Sequence, residues 1–235
     1  MNIDLSLFDL TLVLAIYLYI LLLILGSREI MKRLNLSTRF TRRVIHIFAG
    51  DAFLLMPLFS SPWYPALLPI GLSFIIIYSF KYQKESSITK SMVEEDDTTL
   101  HTYGPLYYII SILILVFAFW DQRAITMSVV MVMTWGDGAA SLIPKMLTKV
   151  HLHPISDKSY EGSTAMLLFA FIGSIVAFSL SNKLGMIILT PCEILFYSTF
   201  SAIIGTVVEA LTLGPLRSFD NFTVPLLTAL ALYLL

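Results

Sequence analysis

The 235-residue chain reads as all-α: one polytopic transmembrane helical bundle of seven or eight spans, filling residues 1–235 as a single domain with its N-terminus outside. Three observations predict this. Hydrophobic residues make up 57% of the chain and charged residues 13%, against roughly 45–50% and 25% in soluble proteins. Several apolar runs approach the ~20 residues that cross a bilayer core. The basic residues also alternate between connections: 13 of 15 fall within 27–43, 81–101, 145–163 and 214–221, and only Arg123 and Lys183 stand on the other side. Lysine and arginine set orientation, so those four connections are expected to be cytoplasmic.

The first span covers residues 7–26, with Asp4 and Asp9 at its outer end. It lacks the basic region of a cleavable signal peptide and is expected to be retained. A basic stretch from Arg28 to Arg43 leads to a second span at 44–59, and the Ser60-Ser61-Pro62 turn to a third at 63–80. Residues 81–101 form a polar loop. The fourth and fifth spans, 103–120 and 124–144, are separated by Asp121, Gln122 and Arg123. After a second polar loop, a sixth span covers 164–180. The stretch 184–213 is too long for one straight helix across a ~30 Å core, and Pro191 offers a break. A short interfacial or re-entrant piece is therefore expected before Pro191, and a seventh span after it. Residues 214–221 form a loop and 222–235 a final short span.

The net charge of -1 points to no particular partner, and no nucleic acid is expected. A single cysteine, Cys192, excludes an intramolecular disulfide and a cysteine metal cluster. The chain has neither a Gly-x-x-x-x-Gly-Lys-Ser/Thr loop nor a kinase-type glycine-rich loop, so the familiar soluble nucleotide-binding folds do not apply.

The chemistry centres on Asp137, which lies between Gly136 and Gly138 near the end of the fifth apolar run. A carboxylate inside a span costs roughly 2.5–3.5 kcal/mol on insertion scales, so it is expected to face the bundle interior or a polar cavity. The flanking glycines, with Ala139, Ala140 and Ser141, allow a helix or a ligand to come close. Arg42, Arg43 and His46 stand at the mouth of the second span, with Asp51 two turns deeper. Asp51 and Asp137 each sit ~10 Å below the cytoplasmic ends of their helices. Two carboxylates at one depth can hold a divalent cation or position a reacting hydroxyl. The structural alternative pairs Asp51 with Arg43 or His46.

The second polar loop carries Lys145, Lys149, His151, His153, Lys158 and Glu161. Its histidines, like His101, lack the spacing of a helical zinc site. Asp220-Asn221-Phe222-Thr223-Val224-Pro225 reads as a helix start capped by Asn221 or Thr223, with Pro225 in the first turn. Such an N-terminus offers N–H groups to a phosphate, and Asp220 is an alternative metal ligand. Glu209 lies just before this loop. Glu94, Glu95, Asp96 and Asp97 read as a solvated run, and Glu193 as interfacial.

At these residues the chain resembles the polyprenol kinase family, which includes phytol kinases, dolichol kinases and CTP-dependent diacylglycerol kinases. Arg42-Arg43-x-x-His46-x-x-x-Gly50 is similar to that family's Arg-Lys-x-x-His-x-x-x-Gly segment. Gly136-Asp137-Gly138-x-Ala140 resembles its Gly-Asp-x-x-Ala signature, and Lys158-Ser159-x-Glu161-Gly162-Ser163 its Lys-Ser/Thr-x-Glu-Gly-Ser/Thr loop. Glu209-Ala210 and Asp220-Asn221-Phe222-Thr223-Val224-Pro225 are similar to its closing elements. The blocks stand in the family's order across residues 42–225. One position departs: Pro144, followed by Lys145, stands where the family usually carries glycine.

The resemblance implies a membrane kinase for a lipid alcohol, with Mg²⁺ as cofactor and CTP as phosphate donor, ATP being the alternative. The acceptor would be an isoprenoid alcohol (geranylgeraniol, phytol or a polyprenol such as dolichol), with diacylglycerol as the rival. Asp137 is the expected Mg²⁺ ligand, assisted by Asp220 or Glu209. Arg42, Arg43, Lys145 and Lys158 are expected at the phosphates, with Gly136, Gly138, Glu161, Gly162 and Asn221 forming the nucleotide site. Asp51 or His46 would accept the substrate proton. A transporter using Asp51 and Asp137 as ion sites is the alternative from another class. The lean chain suggests a cell membrane rather than endoplasmic reticulum, with the active site facing the cytoplasm.

Overall fold

A computed structural model describes residues 6–35, 37–82, 104–154, 158–212 and 219–235. Glu94, Glu95, Asp96, Asp97 and His101 lie outside the described residues, as does the side chain of Arg42. The described chain is helical, as expected: α1 (Leu7–Leu34), α2 (Thr38–Gly50), α3 (Trp63–Tyr82), α4 (Gly104–Ala118), α5 (Arg123–Met131), α6 (Gly138–Leu142), α7 (Tyr160–Lys183), α8 (Pro191–Leu211) and α9 (Asp220–Tyr233). Among the described residues, four stretches are long and apolar enough to cross a membrane: Leu7–Leu34, Trp120–Met146, Tyr160–Lys183 and Pro191–Leu211. Leu106–Ala118 is a shorter apolar helix.

Trp120–Met146 is the axis. Its most apolar window is 67% buried, against 22% for that of α1, which leaves α1 as an outer helix with most of its apolar surface turned to lipid. Met127, Val129, Val130 and Met131 of α5 are fully buried in a core shared with Ile112, Leu115, Phe178 and Leu232. The axis is not one regular α-helix. Between α5 and α6 the chain makes a π turn over Val132–Asp137, and it ends in a 3₁₀ turn over Pro144–Met146. A π turn inserts extra backbone and a 3₁₀ turn tightens it, and both redirect the side chains that follow.

Small residues let the neighbours close on this turn. A Cβ at Gly138 would overlap the Ile47 side chain of α2, and one at Gly50 would overlap Thr134. One at Gly136 would come within 3.1 Å of Ala170 on α7. The small residues around Asp137 therefore admit helices.

Three expectations change. α1 continues past residue 26 to Leu34, because 27–34 is rich in helix formers and places Lys32 and Arg33 at the negative end of the dipole. The second span is not one α-helix: α2, capped by Ser37, closes at Gly50, and Asp51–Leu58 continues as a 3₁₀ segment containing Pro57. The break expected at Pro191 is present: α7 ends at Lys183, α8 opens at Pro191, and residues 184–190 between them are not helical. There the chain turns through Gly185 at φ +71°, and Asn182 bonds both the N–H and the carbonyl of Leu189. α8 then opens with a Thr190–Glu193 capping box, so Glu193 is a cap.

Finally, α9 starts at Asp220, without a side-chain cap from Asn221 or Thr223. Asp220 Oδ1 instead accepts from the Asn221 N–H at 2.8 Å. Pro225 consequently lies beyond the first turn and cannot donate to the Asn221 carbonyl. The buried Ser111 hydroxyl of α4 donates to that carbonyl at 2.9 Å.

Candidate active site

The polar loop before α7 is braced at both ends. His153 N–H donates to the Lys158 carbonyl at 2.9 Å, and Tyr160 N–H to that of His151 at 2.9 Å. Ser159 caps α7 by accepting from Gly162 N–H at 3.0 Å. Both Glu161 oxygens accept from His151 N–H, at 3.1 and 3.0 Å, and Oε1 also lies 2.6 Å from His151 Nδ1. His153 Nε2 sits 3.0 Å from Ser163 Oγ. A Cβ at Gly162 would come within 3.1 Å of the Ala140 carbonyl and 3.4 Å of the Pro144 ring, so Pro144 is accommodated against a residue without a side chain.

This bracing turns Lys158 inward. Its ammonium pairs with Glu209 Oε1 of α8 and lies 3.4 Å from Asp220 Oδ2 at the start of α9. Beside it, Arg43 Nη1 of α2 meets Asp137 Oδ2 of the π turn at 3.3 Å. Asp137 is within electrostatic reach of Lys158, Glu209 and Asp220. Five charged residues from α2, the π turn, the loop, α8 and α9 therefore converge, three acidic and two basic. Burial alone would lower the Lys158 pKa, but the Glu209, Asp220 and Asp137 charges outweigh it and hold the ammonium above its ordinary value. Glu209 Oε2 is buried and has no hydrogen-bond partner among the described residues. Among the described residues no three His, Cys, Asp or Glu side chains gather closely enough to hold a metal ion, since Lys158 stands between the carboxylates.

Asp51, just past α2, and His46, within it, have other partners. Asp51 Oδ1 accepts from Trp135 Nε1 at 2.7 Å, so its partner is neither Arg43 nor His46. The His46 ring is tilted against Tyr108 with centroids 4.9 Å apart. Sequence reasoning missed Trp135. The available signal was an indole N–H in an apolar run two residues before Asp137, because a buried indole needs an acceptor.

The expected residues thus divide. Arg43, Asp137, Lys158, Glu209 and Asp220 come together; Asp51 bonds Trp135 and His46 lies against Tyr108. Gly136, Gly138 and Gly162 serve close approach. Glu161 is turned toward His151, Lys145 is exposed, and Asn221 contributes its backbone to the Ser111 contact.

The helical bundle and the convergence of buried charges at one end of it define an integral-membrane protein with an ionic site inside the bundle. Comparison with known proteins goes further. The chain is 30% identical over 221 residues to Arabidopsis thaliana phytol kinase 1, chloroplastic, covering 90% of this chain and 71% of that one. It is 30% identical over 215 residues to the phytol kinase of Synechocystis sp., covering 87% and 83%. A probable chloroplastic phytol kinase of Triticum aestivum is 30% identical over 201 residues, covering 83% and 67%. The chain belongs to the polyprenol and phytol kinase family. No family model and no solved structure matches it.

Proposed function

We propose that the protein is an integral-membrane kinase that transfers the terminal phosphoryl group of CTP to the hydroxyl of an isoprenoid alcohol such as phytol, geranylgeraniol or a polyprenol. The reaction takes place at the cytoplasmic face of a cell membrane, the side on which the basic connections lie when the N-terminus is outside. The observation that carries this reading is Lys158, held between Glu209 and Asp220 beside the Arg43–Asp137 pair, in a chain whose relatives are named phytol kinases.

Phosphoryl transfer depends mainly on positioning and on neutralising charge on the transferring group. Lys158 and Arg43, with Arg42, supply cations for the phosphate oxygens, and a partly dry site makes those contacts strong. An arriving triphosphate gives Lys158 a new anionic partner in place of a carboxylate. Glu161 acts through His151, keeping the loop in the shape that delivers Lys158. Gly136 and Gly138 keep the π turn tight, Gly162 keeps the loop close to α6, and Lys145 stands at the mouth. Asn221 stands in the first turn of α9, at the end of the helix that favours a phosphate.

Two carboxylates completed by phosphate oxygens would suit Mg²⁺, which takes hard oxygen ligands. Asp137, with Asp220 or Glu209, would hold it, and the partnerless Glu209 Oε2 is an oxygen available for that purpose. Bound there, the ion would neutralise charge on the phosphates. Asp51 or His46 takes the proton of the acceptor hydroxyl.

The Asp137→Asn variant tests the site. Transfer of label from γ-labelled CTP to phytol is expected to vanish while the protein remains folded and inserted in the membrane. Unchanged transfer would remove Asp137 from the mechanism.

A further inference from the structure

The acceptor side of the reaction has its own geometry. Asp51 opens the 3₁₀ segment after α2, where Trp135 holds Oδ1 at 2.7 Å. Among the described residues Asp51 Oδ2 has no hydrogen-bond partner and no basic side chain pairs with this carboxylate, Arg43 being paired with Asp137. A carboxylate fixed through one oxygen with the other open suits proton acceptance.

Ala52 and Phe53 beside it are buried, but one side of its surroundings is apolar and turned outward. Phe48 and Leu55, three residues before Asp51 and four after it, are 47% and 37% exposed. Tyr19 of α1 donates its hydroxyl to the Phe48 carbonyl at 2.8 Å, joining α1 to this end of α2, and lies within electrostatic reach of Asp51. In a membrane protein such an outward face meets lipid. An ionisable group beside it is costly and marks a site. His46 lacks this setting, since its ring lies against Tyr108.

We infer that Asp51, positioned by the Trp135 indole, accepts the hydroxyl proton of an isoprenoid alcohol that reaches it from the lipid between α1 and the α2–3₁₀ segment. The inference rests on the kinase reading and assigns its acceptor side. The alcohol oxygen forms a bond to the γ-phosphorus as its proton passes to Asp51. The bond from that phosphorus to the bridging oxygen breaks, and its electron pair leaves on the nucleoside diphosphate. Protonated Asp51 then returns its proton to water. Trp135 and Asp137 share the π turn, so one turn sets the proton acceptor and the phosphate site relative to each other. Trp135 is a positioning residue and does not touch the reacting atoms.

The test uses the full chain in detergent with γ-labelled CTP and phytol, measuring turnover and nucleotide binding separately. Asp51→Asn is expected to lower kcat by about 100-fold or more, the scale of general-base catalysis, with nucleotide Kd unchanged. Trp135→Phe, which keeps a ring and removes the N–H, is expected to lower kcat about tenfold at unchanged nucleotide KM, as for a group that acts only in the transition state. Wild-type protein that labels no alcohol would sink the kinase reading, and this inference with it. Wild-type transfer alongside an Asp51→Asn variant of undiminished kcat overturns the inference alone. So does a variant that loses nucleotide binding in step with turnover. If Asp51→Asn does not fold, Asp51→Glu carries the test: it displaces the acceptor by one methylene and is expected to reduce kcat at unchanged nucleotide KM. Wild-type kcat in that variant would overturn the assignment.

Discussion

Lys158, on the loop before α7, and Glu209, near the end of α8, form an ion pair whose side chains are only 16% and 4% exposed. Lys158 is also the cation that Asp220 and Asp137 face. Its position joins the loop to α8 and α9.

Removing this ammonium leaves buried carboxylates facing one another. Lys158→Met is expected to lower unfolding stability by about 3 kcal/mol, the scale of a broken buried pair. Lys158→Met combined with Glu209→Leu, which replaces both charges by apolar groups, is expected to recover much of that loss. Denaturant unfolding in detergent measures the cycle. Strictly additive losses would show that the two residues are not coupled.

The pH dependence of that stability has a definite sign. Burial depresses the Lys158 pKa, the three carboxylates more than offset it, and the folded value lies above the ordinary 10.5. A raised folded pKa gives stabilisation that is complete below the unfolded value and lost as pH rises through the folded one. The stability difference between wild type and Lys158→Met is therefore expected to stay constant from about pH 7 to about pH 9 and to narrow only above the ordinary lysine value. Narrowing already complete by about pH 9 would contradict a raised lysine.

Gly138 tests the fit between α2 and the π turn. The Cβ in Gly138→Ala would overlap Ile47, and overpacking of this kind costs about 1–3 kcal/mol. Pushing α2 away also separates Arg43 from Asp137, so activity falls with stability. Adding Ile47→Ala removes the clashing atoms, and the double variant is expected to be more active than Gly138→Ala alone. A double variant no better than the single would show that the Ile47 contact is not what excludes a side chain at Gly138.

The parts legible in sequence were those written in composition and spacing. Apolar runs and polar interruptions located α3, α4, the central axis and α7, because burial in lipid demands such runs. Lys158, Glu209 and Asp220 stood out as charged residues at the ends of apolar segments, and their meeting follows from helices that end on one side. Local backbone choices were not legible. The π turn ahead of Asp137 is set by how α2 and α7 press on Gly138 and Gly136, which is tertiary information. The change to 3₁₀ geometry at Asp51 carries no periodic signature over so few residues. The start of α9 depends on Ser111, distant in sequence, which satisfies the carbonyl that Pro225 leaves open. The bond from Trp135 to Asp51 joins two segments that no local pattern relates.

The most direct test of the central claim offers purified protein γ-labelled CTP with Mg²⁺ and phytol, geranylgeraniol, a long polyprenol and diacylglycerol in parallel, with ATP as competing donor. The expected result is label in an isoprenyl monophosphate with release of CDP. Label only in phosphatidate, or no label in any lipid from protein shown to be folded and to bind CTP, would contradict it.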